Sequence, residues 1–246
     1  MTDARERELA ASLDAMHARI ADACAAAGRD PADVHLIVVT KTWPVDDVRR
    51  LAALGVRDMG ENRDQDAKVK AGSTTDLDIT WHFIGQLQTN KAKSVAQYAD
   101  VVHSADRPEL IAALERGAER AERTITCLIQ VDLDPAREHA EADGPPGRGG
   151  AAPADVRALA AAIEEAPHLR LGGVMGVAPL DRADQRAASA AAFARLARIH
   201  GDLLTEYPEA QMMSAGMSED LEEAVRAGAT HLRVGSAVLG DRPPLG

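Results

Sequence analysis

The sequence contains no long hydrophobic run. No stretch of its 246 residues approaches the ~18 apolar residues that a membrane-spanning helix requires, so we expect no membrane partner. The first nine residues are charged throughout and lack the apolar segment of a secretory signal. We therefore expect a cytoplasmic protein.

The sequence also has few cysteines and no net positive charge. The two cysteines, Cys24 and Cys127, lie far apart without metal-ligand spacing, and we expect both to be reduced core residues. Asp132 and Asp134 lack a fixed third ligand, so we predict no metal site. A net charge of -11 argues against nucleic acid as a partner, because phosphate backbones are bound by clustered Lys and Arg. Any phosphate group must therefore be bound by a few residues at one site and not by an extended basic surface.

What is present is a regular alternation of strand and helix patterns. Apolar residues from Leu9 to Cys24 recur at steps of three and four, which predicts an amphipathic helix ending at Gly28. Eight β-like runs follow at residues 34–40, 56–60, 80–84, 100–104, 125–132, 169–175, 210–214 and 230–234. Helical patterns lie at 45–54, 63–71, 89–98, 107–122, 153–165, 183–206 and 218–227.

This alternation predicts a (β/α)8 TIM barrel with an extra N-terminal helix, and we expect residues 1–246 to form a single domain. A doubly wound open sheet is the alternative, but it would prefer a Gly-rich fingerprint after the first strand, where Lys41-Thr-Trp-Pro44 stands. Residues 133–153 are rich in Gly, Pro and charge. They read as a long loop after the fifth strand, either a lid or an insertion without a role.

In a barrel, residues at the carboxyl ends of different strands meet at one mouth. Lys41 follows the first strand; it is either a surface lysine or a desolvated amine that can condense with an aldehyde. Trp43, Trp81 and Phe83 lie beside strand ends and either line a flat ligand or belong to the core. The other predicted strand-end residues are 60–62, His82, Gly85, Met175, 214–218 and 233–236.

The loops after the seventh and eighth strands are rich in small residues, in the segments Ser214-Ala-Gly-Met-Ser218 and Arg233-Val-Gly235-Ser236. Small residues that open a helix expose backbone N–H groups, which suits a phosphate monoester, although Ser218 also fits an ordinary helix N-cap. An amine for an aldehyde, a phosphate cradle and a flat gap together indicate pyridoxal phosphate.

Five motifs resemble the pyridoxal-phosphate homeostasis family, the YggS/PROSC-type proteins. They are Val39-Thr-Lys41-Thr, Gly60-Glu-Asn62, Trp81-His-Phe-Ile-Gly85 with Leu87-Gln-Thr-Asn-Lys91, Ser214-Ala-Gly-Met-Ser218-Glu-Asp220 and Arg233-Val-Gly-Ser-Ala-Val-Leu-Gly240. The resemblance departs from the family at Arg63, where an aromatic is usual, at Gln86, where proline is usual, and in the loop after strand five.

The resemblance implies a barrel of the alanine-racemase N-terminal type, with pyridoxal 5'-phosphate bound as a covalent aldimine to Lys41. It implies phosphate contacts from Ser214, Gly235 and Ser236 and an Arg233 that faces the pyridine nitrogen. Asn62, His82 and Met217 are expected to line the pocket.

An arginine at the pyridine nitrogen disfavours protonation of the ring, which makes the cofactor a weaker electron sink. Racemases of this fold add a tyrosine base from a further domain, whereas Tyr98 and Tyr207 lie in or at the ends of predicted helices. We therefore expect no catalytic residues and a monomer or weak dimer that holds pyridoxal phosphate for vitamin B6 homeostasis, with apo enzymes as possible partners. The alternatives are a racemase or lyase using His82, and a cofactor-free sugar-phosphate enzyme.

Overall fold

The computed structural model describes residues 3–134, 149–180 and 183–240, and its strands form a closed parallel barrel. The strands are β1 His35–Val39, β2 Asp58–Glu61, β3 Thr80–Phe83, β4 Val101–Ala105, β5 Ile125–Val131, β6 Leu169–Gly176, β7 Met212–Ser214 and β8 His231–Val234. Each strand pairs with the next, and β8 closes the barrel against β1 with Ile37 opposite Arg233. The predicted (β/α)8 barrel is confirmed, with small shifts at the strand ends.

The helices are α1 Ala4–Ala27, α2 Val45–Ala53, α3 Asp64–Gly72, α4 Ala92–Val95, α5 Pro108–Ala121, α6 Val156–Glu164, α7 Gln185–Glu206, α8 Leu221–Ala227 and α9 Ser236–Leu239. The N-terminal helix is confirmed and ends at Gly28, whose left-handed backbone (φ 66°) lets its N–H bond to the last helical carbonyls. Among the described helices, none combines the length and the apolar character needed to cross a membrane.

The helix predicted over 89–98 is less regular than expected. It is a 3-10 turn, Thr89–Lys91, followed by the single α turn of α4. The stretch packs very closely on α5, since a Cβ at Gly117 would lie 2.9 Å from the Ala96 Cβ. Its geometry is therefore fitted to the neighbouring helix, a tertiary effect that local periodicity does not report.

Alternation along the strands divides the core into two layers. Val38, Trp81, Phe83 and Cys127 belong to the main layer between the strands and the helices. Inside the barrel, Val101, Leu128 and Met175 form a smaller apolar cluster, with polar side chains on the other side of the interior. Both cysteines are free and buried, as predicted, and burial raises the pKa of Cys127 to about 12.

The segment 133–153 returns to the barrel beside β5. The N–H of Asp132 donates to the Ala151 carbonyl (2.9 Å), and the N–H of Ala151 donates to the Gln130 carbonyl (2.8 Å), so Ala151 bridges in parallel to Val131. Most of the segment, residues 135–148, lies outside the described residues, and both interpretations of it, a lid or an insertion without a role, fall there.

Candidate functional site

A cavity of about 270 Å³ lies at the carboxyl ends of the strands. Its volume is close to the lower end of the range for small-molecule sites, about 300–1,000 Å³. Lys41, Met217, Arg233, Gly235 and Ser236 line it, so five of the eight predicted binding residues border one space. The sequence argument that strand ends converge at the mouth thus agrees with the geometry.

The Lys41 backbone is held by a buried ion pair behind it. Lys70, on α3, donates from Nζ to the Thr40 carbonyl (2.7 Å) and to Glu61 Oε1 (2.5 Å). The Thr40 hydroxyl donates to the same Glu61 oxygen (2.7 Å), while Glu61 Oε2 is buried without a partner among the described residues. The peptide before Lys41 is therefore fixed by a cation and an anion that are both almost fully buried.

The turn after Lys41 is braced by the N-terminal helix. Trp43 lines the cavity, and the Arg5 guanidinium lies 4.6 Å from the centroid of its ring, within cation–π range. Arg5 also donates to Asp47 (3.0 Å) and to the Leu239 carbonyl (2.9 Å). The predicted extra helix thus ties the loop after β1 to the end of α9.

The loop after β7 is closed by a buried carboxylate. Asp220 Oδ1 accepts from the Met217 N–H (2.7 Å), and its other oxygen accepts from the Ser189 hydroxyl (3.3 Å). Burial raises the pKa of Asp220 above its usual value. The backbone N–H of Arg233 donates to the Gly216 carbonyl (2.9 Å), so the loops after β7 and β8 are joined directly.

The loop after β8 approaches β1 closely. A Cβ at Gly235 would lie 3.3 Å from the Val39 carbonyl oxygen, so this position has little room for a side chain. Ser236 then begins α9, and the first N–H groups of a helix have no partner within the helix. These donors suit an anion at the cavity edge.

Arg233 is almost fully buried at the floor of the cavity. It donates from Nη1 to the Ser214 hydroxyl (2.6 Å) and from Nη2 to the Gly176 carbonyl (2.9 Å). Burial lowers its pKa to about 10, with Asp220 opposing the shift, so the guanidinium is a cation at neutral pH. It can donate hydrogen bonds but cannot accept them.

A chain of hydrogen-bonded side chains, Ser214, His103, His82 and Asp58, runs through the barrel interior, and we call it the histidine file. His103 Nδ1 lies 3.0 Å from Ser214 Oγ, and His103 Nε2 lies 2.9 Å from His82 Nδ1. His82 Nε2 in turn lies 2.8 Å from Asp58 Oδ1. Both histidines are buried, so the file links the Arg233 side of the cavity to the opposite end of the barrel.

Three predicted site residues are not among those that line the described cavity. Ser214 and His82 are buried, with their side chains bonded within the histidine file, and Asn62 packs its backbone against Gly85, where a Cβ would lie 2.3 Å from the Asn62 carbonyl oxygen. Sequence reasoning missed His103 and Asp58. The signal available for His103 was a buried polar residue within the apolar run of β4.

Acid is expected to destabilise the barrel through the buried His103 and the partly buried His231. Burial, followed by the charge of His35, lowers the pKa of His231 from 6.5 to about 3. Burial likewise lowers the pKa of His103. Because the unfolded chain binds these protons more tightly, the stabilisation is full above pH 6.5 and is lost as the pH falls below it, in the case of His231 down to about 3, at up to about 1.4 kcal/mol per pH unit for each group.

Melting temperatures from pH 7.5 down to pH 4 measure this effect. His231→Gln is expected to flatten the decline, whereas His17→Gln, on the exposed surface of α1, is expected to keep it. An equally steep decline in His231→Gln would contradict the assignment.

The chain matches known proteins over most of its length. The family model of the alanine racemase N-terminal domain matches residues 11–243. The pyridoxal phosphate homeostasis protein of Pseudomonas aeruginosa is 39% identical, covering 95% of this chain and 96% of that protein. The protein of the same name from Mycobacterium leprae is 38% identical, covering 96% and 93%. PipY of Synechococcus elongatus, solved with PLP bound, is 35% identical with a TM-score of 0.75, covering 90% of this chain and 100% of PipY.

Proposed function

This chain belongs to the family defined by the N-terminal domain of alanine racemase, and on that basis we propose that it binds pyridoxal phosphate at the barrel mouth and acts in the homeostasis of that cofactor. The observation that carries the proposal is one cavity bordered by the Lys41 amine, the Arg233 guanidinium and the small residues Gly235 and Ser236. The names of the relatives and the ligand of PipY support it.

Lys41 is the proposed anchor. The cofactor would supply an aldehyde, which condenses reversibly with a lysine amine. Thr40 precedes Lys41 and is held at its carbonyl and its hydroxyl by Lys70 and Glu61, so the backbone of the anchor is fixed before any ligand arrives. A fixed backbone reduces the conformational entropy lost on binding.

The loops after β7 and β8 are the proposed phosphate site. Gly235 and Ser236 offer backbone N–H groups at the start of α9, and Ser214 lies at the end of the neighbouring strand β7. Met217 borders the same cavity, whereas Asn62 and His82, which the family resemblance also assigns to the cofactor site, do not line it. Two cations, Lys41 and Arg233, line the cavity and offset the negative charge of a phosphate ester.

Arg233 is the proposed partner of the pyridine nitrogen. Its guanidinium donates and never accepts, which fits an unprotonated ring nitrogen. An unprotonated ring withdraws electrons weakly from an attached substrate, so the arrangement favours holding the cofactor over turning over amino acids. Release to apo forms of pyridoxal-phosphate enzymes is the role that we propose for such a holder.

A racemase or lyase is the alternative, and it requires a base positioned over the cavity. The two tyrosines of the chain are poorly placed for this. The Tyr98 hydroxyl lies 3.5 Å from Asp64, and burial raises its pKa, while Tyr207 ends α7. Incubation with L-amino acids in heavy water tests the alternative, since exchange of the α-proton at a catalytic rate would contradict the holding role.

Removal of Lys41 is expected to abolish covalent capture of the cofactor. Wild-type protein mixed with pyridoxal phosphate is expected to develop a visible absorption band, and borohydride reduction followed by peptide mass spectrometry is expected to place the label on Lys41. Lys41→Ala is expected to lose both band and label because no other amine borders the described cavity.

Lys93→Ala is the matched control, since Lys93 is an exposed lysine on α4. It is expected to capture the cofactor as the wild type does. Labelling of Lys41→Ala at the wild-type level, or a wild-type protein that gains no band, would contradict the proposed function.

A further inference from the structure

With both histidines neutral, the hydrogen bonds between Arg233 and Asp58 all run in one direction. An arginine only donates, so Arg233 donates a hydrogen bond to the Ser214 oxygen, and the Ser214 hydroxyl donates to His103 Nδ1. A carboxylate only accepts, so His82 Nε2 donates to Asp58.

The hydrogen-bond directions set at Ser214 and at Asp58 are compatible at the contact between the two histidines. A neutral His82 that donates from Nε2 accepts at Nδ1, and a neutral His103 that accepts at Nδ1 donates from Nε2. The 2.9 Å contact between His103 Nε2 and His82 Nδ1 therefore has one donor and one acceptor. Every proton in the file points from the arginine towards the carboxylate.

We propose that Asp58, His82, His103 and Ser214 are positioning residues that hold the Arg233 guanidinium in one orientation towards the cofactor ring, with Asp58 as its distant counter-charge. This inference deepens the proposed function and rests on it. It adds a specific determinant of cofactor affinity at the end of the barrel opposite the ligand.

Arg233 needs such support because its direct side-chain and carbonyl partners are neutral. Its charge is buried, and its guanidinium donates to the Ser214 hydroxyl and the Gly176 carbonyl. A buried charge with neutral partners is stabilised when those partners are themselves polarised by a chain of hydrogen bonds. Asp220 is the carboxylate that acts on it from the cavity side.

The direction of the file also gives the Ser214 hydroxyl proton an acceptor. If His103 carried its proton on Nδ1, the Ser214 oxygen would accept from both His103 and Arg233, and its hydroxyl proton would need another acceptor. Burial, followed by the charges of His82, Arg233 and His231, lowers the pKa of His103, which agrees with a neutral ring.

Asp58 is ionised in this arrangement. Burial alone would raise its pKa, but the hydrogen bond from His82 and the electrostatic influence of His82, His231 and His35 lower the pKa below its usual value. His35 and His231 stack 4.8 Å apart at the same end of the barrel. These are the groups that face Asp58, and any pH dependence of the file involves them.

The location of Asp58 makes the inference testable. Asp58 is the first residue of β2, whereas Lys41 lies two residues beyond the end of β1, and neighbouring parallel strands place these positions at opposite ends of the barrel. Asp58 does not line the described cavity. The file is the hydrogen-bonded connection through which Asp58 acts on the Arg233 side of the cavity.

Nitrogen-15 NMR of the histidine side chains tests the file without the cofactor. We expect His82 and His103 of the cofactor-free protein to be neutral at pH 7.5 with the proton on Nε2. A proton on Nδ1 of either ring would overturn the inference.

Cofactor titration of three variants tests the consequence. Asp58→Asn keeps an acceptor but removes the charge, and we expect about tenfold weaker binding of pyridoxal phosphate and a shifted pH profile of the bound absorption band. Asp58→Glu is expected to recover most of the affinity. Asp78→Asn is the matched control, because Asp78 lies at the same end of the barrel and is fully exposed, and it is expected to bind as the wild type does.

The outcomes separate the two proposals. Wild-type binding and an unchanged pH profile in Asp58→Asn would overturn the positioning role and leave the proposed function intact. Failure of the wild-type protein to bind pyridoxal phosphate would overturn the proposed function itself. Circular dichroism of each variant confirms that the barrel is folded before affinities are compared.

Discussion

Lys70→Met is expected to lower the free energy of unfolding by about 3–5 kcal/mol, because it leaves a buried carboxylate without its cation. Glu61 is 1% exposed and Lys70 7%, so water cannot replace the lost ammonium without opening the structure. The Thr40 carbonyl loses a donor in the same change. Urea denaturation followed by circular dichroism measures the loss.

Two variants make this result specific. Lys68→Met removes an exposed lysine from the same helix and is expected to change the stability by no more than about 0.5 kcal/mol. Glu61→Leu combined with Lys70→Met removes both charges and is expected to recover much of the loss, since an apolar pair avoids the desolvation cost. A Lys70→Met protein as stable as Lys68→Met would contradict the account.

Lys70→Met is also expected to weaken the proposed cofactor site at Lys41. Thr40 directly precedes Lys41, and its carbonyl and hydroxyl are both bonded within the Glu61–Lys70 pair. Folded Lys70→Met protein is therefore expected to capture pyridoxal phosphate more weakly than Lys68→Met. The pair thus connects the stability of the barrel with the geometry of the proposed anchor.

The order of elements was predictable from the sequence because each element carries its own local signal. Strands such as β5 are continuous apolar runs, helices such as α5 repeat apolar residues every three or four positions, and Gly28 marks the end of α1. The mouth residues followed from the count of strands, since the fold fixes which strand ends meet. The convergence of Lys41, Arg233 and Ser236 needed no further information.

The interior of the barrel was not predictable in the same way. Trp81 and Phe83 flank His82 on β3, and alternation sends the two aromatics outward to the helices and the histidine inward. In a barrel both faces of a strand are buried, so the sequence pattern does not reveal which face is which. The contact between His82 and His103 depends on register between strands, which no single strand encodes.

Gly173→Ala is expected to prevent the barrel from reaching its native packing, at a cost above about 4 kcal/mol. Gly173 has a φ of 139°, and a Cβ there would lie 2.0 Å from the Met212 carbonyl oxygen and 2.8 Å from that of Ala210. These obstacles are backbone atoms of the segment around β7, so no side-chain rotation relieves them. Loss of a cooperative thermal transition is the expected readout.

Gly55→Ala is the control, because Gly55 also has a positive φ, 93°, but has no atom within 4 Å of the added Cβ. It is expected to cost only about 1 kcal/mol, the backbone term alone. An equal cost for both variants would mean that the contact with β7 does not matter.

The position of Gly173 explains why the cost should be large. Cys127 pairs with Leu171 and Leu128 pairs with Gly173, so Gly172 is an extra residue in β6. A shift of one residue exchanges the two faces of a strand. The extra residue therefore sets which face of β6 turns inward, and with it the inward position of Met175 and the reach of the Gly176 carbonyl to Arg233. Loss of this irregularity would disturb the barrel wall and the cavity floor together.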